Sequence, residues 1–144
     1  MGNFQSVGRF GARHFGRYLI ATSGVVTINS TAVNAVAMPV LSGGVTPNGG
    51  GFIIRQVTVT NQTSQNTALA NVQICTSSDG ATANSVTANS VLSTLTGINT
   101  WQDLVPTSAA NTTIYNVSVL YANVITNVAN SNVIFSVYGQ VVSY

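Results

Sequence analysis

Apolar and polar residues alternate with a period of two along much of the chain after residue 18. In one stretch, Val57 and Val59 alternate with Thr58 and Thr60. Near the end of the chain a longer apolar face consists of Val133, Phe135, Val137, Gly139 and Val141. Alternation of this kind is typical of β-strands that are buried on one face.

Further apolar stretches predict the remaining strands. They are residues 18–22, 25–28, 35–41, 69–76, 91–96 and 101–105, and a stretch whose apolar face is Tyr115, Val117, Val119 and Tyr121. Sequences rich in Gly, Asn, Asp and Ser separate these stretches, and no segment has a helical period with caps. We therefore predict an all-β, antiparallel β-sandwich of jelly-roll-like form. Alternation defines the faces of a strand but not the strand order, so other sandwich topologies stay open.

The first 18 residues differ in composition from the rest, because glycines are interspersed there with aromatic and basic residues. We predict that residues 1–18 form an extended basic and aromatic arm and that residues 19–144 form a single β-sandwich domain. Arg9, Arg13 and Arg17 are spaced for one helical face, but Gly11 and Gly16 disfavour a helix. The candidate docking residues of the arm are Phe4, Arg9, Phe10, Arg13, His14, Phe15, Arg17 and Tyr18.

Charge is scarce outside the arm. The chain of 144 residues is 45% hydrophobic and only 4% charged, with a net charge of +2, and it contains neither Lys nor Glu. Its 16 Asn, 15 Ser and 18 Thr supply a neutral polar surface instead. Since low net charge favours association, this composition predicts a protein that works as a homo-oligomer. No apolar run approaches the about 20 residues of a membrane-spanning helix, so we expect no membrane partner.

Residues that could carry catalysis or bind metal are few. The single His14 lies on the Gly-rich arm, where a rigid orientation is hard to maintain. We predict that Cys75 is a buried structural residue, that Asp79 forms a turn with Gly80, and that Asp103 is an exposed charge on a loop or edge. A zinc site needs more Cys and His than the chain has, and a calcium site at an Asp is a less favoured alternative. We therefore predict no enzyme activity, no catalytic residue, no metal and no cofactor.

The arm has two possible classes of partner. Its arginines and aromatic residues suit docking on a protein surface, where Arg and aromatic side chains are favoured anchors. They also suit nucleic acid, with arginines on phosphates and aromatic rings on bases. Three arginines make a weak phosphate clamp at physiological salt, so a protein partner is favoured over nucleic acid.

Four segments of the domain carry a resemblance to a known class of proteins: residues 71–80, 91–101, 113–119 and 133–142. In style and length, residues 20–144 are similar to the small β-sandwich structural proteins of tailed-phage virions, and most of all to capsid decoration (cement) proteins. The resemblance implies a jelly-roll or related sandwich, a homotrimer over joints between major capsid subunits, and a terminal arm that reaches a neighbour. It also implies a location on the capsid surface after synthesis in the host cytoplasm.

Our first expectation is therefore a capsid decoration protein that binds the major capsid protein or another virion protein. An alternative is a receptor-binding module of a tail fibre, baseplate or head fibre. Its only candidate sugar site is Trp101 with Gln102, Asp103 and Asn99, and structural burial of Trp101 is the favoured interpretation. A third possibility is a small jelly-roll capsid protein with an arm that faces nucleic acid.

Overall fold

The computed structural model describes residues 18–28, 35–41, 51–63, 70–126 and 131–142. In this part of the chain the strands are β1 (Tyr18–Ile28), β2 (Ala35–Pro39), β3 (Gly51–Asn61), β4 (Asn71–Cys75), β5 (Ser90–Val91), β6 (Trp101–Leu104), β7 (Val119–Thr126) and β8 (Ser131–Val142). A 3₁₀ helix, Thr82–Asn84, lies between β4 and β5. Among these residues there is no α-helix, and accordingly none that could cross a membrane.

The strands form two antiparallel sheets of four strands each. Sheet 1 has the order β1-β8-β3-β6, and sheet 2 has the order β2-β7-β4-β5. The pairing is nested: β1 pairs with β8, β2 with β7, β3 with β6 and β4 with β5. The predicted all-β antiparallel sandwich is confirmed, and consecutive strands pass repeatedly from one sheet to the other.

The core lies between the sheets and contains the apolar faces predicted for β3 and β8. Val57, Val59, Val133, Phe135 and Val137 are all fully buried. Burial of each such side chain contributes about 1.5–3 kcal/mol to folding. The predicted face of β8 ends at Gly139, because Val141 is partly exposed.

For the stretch from Tyr115 to Tyr121, the predicted apolar face is wrong after Val117. Tyr115 and Val117 pack against the core, and Tyr115 forms a single antiparallel bridge with Phe52. Strand β7 begins only at Val119, and its fully or almost fully buried side chains are Leu120, Ala122 and Val124. The irregular residues 116–118 between bridge and strand change which positions face inward, so Tyr121 faces outward.

The predicted strand 91–96 is also shorter than expected. Strand β5 ends at Val91, and a turn follows in which the Leu95 N–H donates to the Leu92 carbonyl at 3.0 Å. Leu92 and Leu95 are nevertheless fully buried. Their apolar character therefore comes from packing in a turn and not from a strand.

Both lateral sides of the sandwich are closed by hydrogen bonds between the sheets. On the side of β1 and β2, Ala21 bridges to Val40, and the Leu41 N–H donates to the Ile20 carbonyl at 2.8 Å. On the side of β5 and β6, the Ala88 N–H donates to the Val105 carbonyl at 3.0 Å. Backbone groups at these positions are already paired, so a further strand cannot add to the edges there.

Candidate interaction surface

Most of the predicted docking arm lies outside the described residues. This holds for Phe4, Arg9, Phe10, Arg13, His14, Phe15 and Arg17. Tyr18 is described: it is the first residue of β1, pairs with Gly139 and is 46% exposed. The first strand therefore begins one residue before the predicted start of the domain.

The described part of the chain carries only three charged side chains, Arg55, Asp79 and Asp103. Arg55 donates to neutral acceptors, from Nε to Oε1 of Gln140 at 2.9 Å and from Nη1 to the Asn111 carbonyl at 3.0 Å. A surface so poor in charge has little electrostatic repulsion against a second copy.

Asp79 forms the turn that the sequence predicts. Its Oδ1 accepts the Ala81 N–H at 2.9 Å, and both carboxylate oxygens accept from the Asn84 side-chain amide. These hydrogen bonds, that of Ala81 first, hold the pKa of Asp79 below its ordinary value. Gly80 follows with a φ of +67°, a conformation that glycine adopts readily.

The segment from Thr76 to Ser85 covers part of the outer face of sheet 2. Gln73 Nε2 donates to the Gly80 carbonyl at 3.0 Å, and Ser85 Oγ donates to Gln73 Oε1 at 3.2 Å. Cys75 is fully buried and unpaired, as predicted. Burial raises the pKa of its thiol, a hydrogen bond with Ser85 opposes this, and Asp79 raises it further. The thiol is therefore protonated at neutral pH and is a poor nucleophile.

A shallow groove of about 340 Å³ lies beside this segment, with Gln73, Thr87, Thr107 and Ile125 in its wall. None of these side chains is ionisable. The Thr87 hydroxyl already accepts the Ile74 N–H at 2.9 Å, so this buried polar group has a partner within the protein. In the part of the chain that the structure describes, no three His, Cys, Asp or Glu residues come together to hold a metal ion.

Exposed apolar side chains are concentrated on and next to the edge strands of the two sheets. Of the eleven exposed large hydrophobic residues among those described, eight lie there. The β1–β2 side carries Tyr18, Leu19, Val25 and Leu41, and the β5–β6 side carries Val91, Ile98, Trp101 and Val105. Sheet order places the two sides at opposite edges of sheet 1.

Trp101 is 59% exposed, so the expected burial of this residue is wrong. Along β6 the inward positions belong to Gln102 and to the buried Leu104, which leaves Trp101 and Asp103 facing outward. Gln102 holds this register because Oε1 accepts the Thr94 N–H at 3.0 Å and Nε2 donates to the Val91 carbonyl at 2.8 Å.

The outer face of sheet 1 has a mostly apolar row next to a polar one. The mostly apolar row joins Val25 on β1, Ile134 on β8, Thr60 on β3 and Trp101 on β6. The polar row joins Thr22 on β1, Ser136 on β8, Thr58 on β3 and Asp103 on β6. The Asp103 carboxylate accepts from the Thr58 hydroxyl at 2.6 Å and from the Gln56 amide at 3.2 Å. The prediction of an exposed edge charge is confirmed for Asp103.

The described surface therefore offers a neutral body with two apolar sides, and this arrangement suits contact with other macromolecules. No protein-family model matches the sequence, and no match was found among curated proteins or among solved structures.

Proposed function

We propose that the chain is a non-enzymatic structural protein of a virion, a capsid decoration (cement) protein that stabilises the head lattice. It does so through homo-oligomeric contacts, with a trimer favoured, and through an anchoring arm of residues 1–18. The protein partner is the major capsid protein or another virion protein on the capsid surface, and synthesis takes place in the host cytoplasm.

The observation that carries this proposal is the combination of an almost uncharged body with two exposed apolar sides. Arg55, Asp79 and Asp103 are the only charged groups of the described residues. Apolar surface of this extent is a liability for a free protein in solution and is ordinary in a permanent interface. A subunit that works in an assembly accounts for both features.

The fold is consistent with this function if the sandwich is a jelly roll, which is part of the proposal. Each strand pairs with its counterpart from the other end of the chain, from β1 with β8 to β4 with β5. Such a nested ribbon, wound around one core, supports an assignment as a double-sheet jelly roll, an architecture that recurs in viral capsid proteins and lectins.

The stabilising mechanism follows from linkage. A protein that binds only the assembled lattice stabilises that lattice by its free energy of binding. An oligomer that carries several arms binds multivalently, so that individually weak contacts add through effective concentration. The arginines of the arm provide positive charge for acidic patches on the lattice.

The experiment uses virus particles assembled from a genome that lacks the gene for this chain. They are mixed with the full-length chain, with a chain that begins at Leu19, or with a full-length variant in which Arg9, Arg13 and Arg17 are replaced by Gln. Co-sedimentation measures binding, and the temperature of particle disruption measures stabilisation. We expect the full-length chain to bind and to raise that temperature, and the truncated chain to bind about tenfold more weakly or worse because a multivalent contact is lost.

The arginine variant separates charge from chain length. If it binds as the truncated chain does, charge carries the anchoring. Absence of binding by the full-length chain would contradict the decoration role. If deletion of the gene abolishes the particles altogether, the chain is instead the shell-forming subunit, the small jelly-roll capsid protein.

A second candidate function is favoured by one observation, the exposure of Trp101. An exposed aromatic ring beside Asn99 and Asp103 suits the apolar face of a sugar. A receptor-binding module would bind glycans on an array through this site, and a folded Trp101→Ala variant would lose that binding. Equal binding by the variant would exclude the site, and absence of glycan binding by the wild type would exclude the function as a sugar-binding module.

A further inference from the structure

We propose that the outer face of sheet 1 binds the same face of a second copy of this chain, across a two-fold axis that runs parallel to the strands, between β8 and β3. This inference rests on the proposed function and deepens it, because it names the surface of a homo-oligomeric contact. A contact of this kind joins two copies, or two of the favoured trimers where the trimer forms through another surface.

The strand register places the large apolar side chains of this face in two rows. Val25 on β1 and Trp101 on β6 are 61% and 59% exposed, and they stand at the two ends of one row. Leu19 and Tyr138 are paired in a second row. The polar row that ends at Asp103 lies between them. Exposed apolar groups on a sheet face, next to satisfied polar groups, are typical of a surface that another macromolecule covers.

Charge makes a second copy the matching partner. The charged side chains described on or beside this face are Arg55 and Asp103, and both already have neutral partners within the chain. Asp103 accepts from the Thr58 hydroxyl at 2.6 Å, and Arg55 donates to Oε1 of Gln140 at 2.9 Å. A strongly charged partner would therefore bury its own charges without counter-charges, which is costly. A second copy presents the same nearly neutral face and avoids that cost.

The order of side chains within the rows selects the axis. Face-to-face sheets keep their strand directions within about 30° of each other, so rows lie over rows. With an axis parallel to the strands, β1 of one copy lies over β6 of the other. Val25 then meets Trp101 of the second copy, and Asp103 meets Thr22 of the second copy, whose hydroxyl is able to donate to the carboxylate.

The alternative axis, along the rows, is disfavoured by Asp103. Such an axis buries both apolar rows only if it passes through the polar row between them, and the two Asp103 carboxylates then face each other. With the axis parallel to the strands, these carboxylates lie at opposite edges of the interface. Three strand spacings, about 14 Å, separate them laterally. This is more than the Debye length of about 8 Å at physiological ionic strength.

The face is large enough for a specific contact. Four strands at a spacing of about 4.8 Å give a width of about 19 Å, and the four rows from Asn132 to Tyr138 give a length of about 26 Å. Two such faces in contact would remove about 1,000 Å² from water, which is the lower limit for a specific interface.

Cross-linking between cysteines tests both the contact and its axis. Two full-length variants, Val25→Cys and Trp101→Cys, are treated with a short bismaleimide, each alone and as an equal mixture. The controls are Ile125→Cys, an exposed position of β7 in sheet 2, and the wild type, whose single Cys75 is fully buried. Denaturing gels separate linked from unlinked chains, and circular dichroism checks the fold.

We expect linked pairs only in the mixture of Val25→Cys and Trp101→Cys. In the mixed pair the two cysteines face each other, and the other end of the row keeps one native contact between Val25 and Trp101. In a pair of identical variants the two cysteines lie at opposite edges of the interface, so a short reagent cannot join them.

Light scattering tests the contact without a reagent. The wild type and the control Ile125→Glu should have a mass that is an even multiple of 14.9 kDa. Val25→Glu alone and Trp101→Lys alone should each have half that mass, because each buries an unpaired charge. Their equal mixture should recover the wild-type mass, since opposite charges then meet at one end of the row. If a charge variant does not fold, the cross-linking experiment decides.

Three outcomes would overturn the proposal. A wild type that is monomeric or has an odd number of copies, without links in the mixture, excludes the contact. Links within Val25→Cys alone exclude the axis. A chain that begins at Leu19 and forms pairs, while the full-length chain is monomeric, shows that residues 1–18 cover the face instead. None of these results concerns binding to virus particles, so failure of this contact and failure of the decoration role are distinguishable.

Discussion

Gln102 on β6 and Val91 on β5 link the edges of the two sheets, because the Gln102 side-chain amide donates to the Val91 carbonyl at 2.8 Å. Oε1 of the same side chain accepts the Thr94 N–H at 3.0 Å. One neutral side chain thus satisfies backbone groups of the turn after β5 and sets the outward direction of Trp101. The β5–β6 side depends on this residue for its shape.

Replacement of Gln102 by Ala should lower the free energy of unfolding by about 0.5–1.5 kcal/mol, because the Thr94 N–H loses its partner and the Val91 carbonyl keeps only the Ser93 N–H. Urea unfolding measures the change. The matched control is Gln62→Ala, since Gln62 is exposed and, among the described residues, its side-chain amide donates only to the Thr60 hydroxyl at 3.3 Å. That control should change stability by less than about 0.5 kcal/mol. Equal effects of the two variants would contradict a bridging role for Gln102.

Gly139 allows β8 to approach β3 closely. A Cβ atom at this position would overlap the backbone carbonyl of Ile53, next to the bulge between Ile54 and Gln56. Gly139→Ala should therefore destabilise the fold by about 1–3 kcal/mol or more, as overpacking does. Gly97→Ala is the control, because a Cβ there meets nothing within 4 Å. Thermal unfolding of both variants should show a lower Tm for Gly139→Ala alone, and an unchanged Tm would show that the strands can separate at no cost.

The sequence reveals local features of this fold better than features that depend on distant pairings. Alternation identified the buried faces of β3 and β8 correctly, because each of these long strands keeps one parity through the core. It assigned the wrong face to β7, since the parity changes in the irregular residues 116–118. The two apolar sides could not be predicted, because they depend on strand order, and strand order depends on pairings between distant segments. The arm of residues 1–18 remains a prediction from composition, apart from Tyr18 in β1.

Cys75 should be unreactive in the folded protein. The thiol is fully buried, and burial raises its pKa, so both access and thiolate are lacking. A thiol-specific disulfide reagent at about pH 8 should label the native chain only at the rate of its unfolding and label the urea-unfolded chain at once. The variant with Cys75→Ala and Ser78→Cys moves the thiol to an exposed turn position and should react immediately. Rapid labelling of native Cys75 would indicate that the covering segment opens readily.

Asp79 should make stability depend on pH at the acidic end. Its pKa is lower in the folded chain because Ala81 and Asn84 donate hydrogen bonds to the ionised carboxylate. A group with a lowered pKa stabilises the fold at pH values above its unfolded pKa of about 3.9, and this contribution is lost as the pH falls through the folded value. The difference in urea midpoint between wild type and Asp79→Ala should therefore be larger at about pH 7 than at about pH 2. A difference that is independent of pH would show that the charge of Asp79 has no part in it.

Trp101 should report assembly directly, because it is the only tryptophan of the chain and lies on the β5–β6 side. In a single copy the indole ring is mostly in water, whereas a homo-oligomeric contact over the outer face of sheet 1 would bury it. Fluorescence emission of the wild type should therefore shift to longer wavelength on dilution, and quenching by acrylamide should increase in parallel. The Val25→Glu variant keeps Trp101 but places a charge in the same row of that face, so its emission should already be at long wavelength at every concentration. If the wild type and this variant have the same emission while light scattering shows an oligomer, the interface lies away from Trp101.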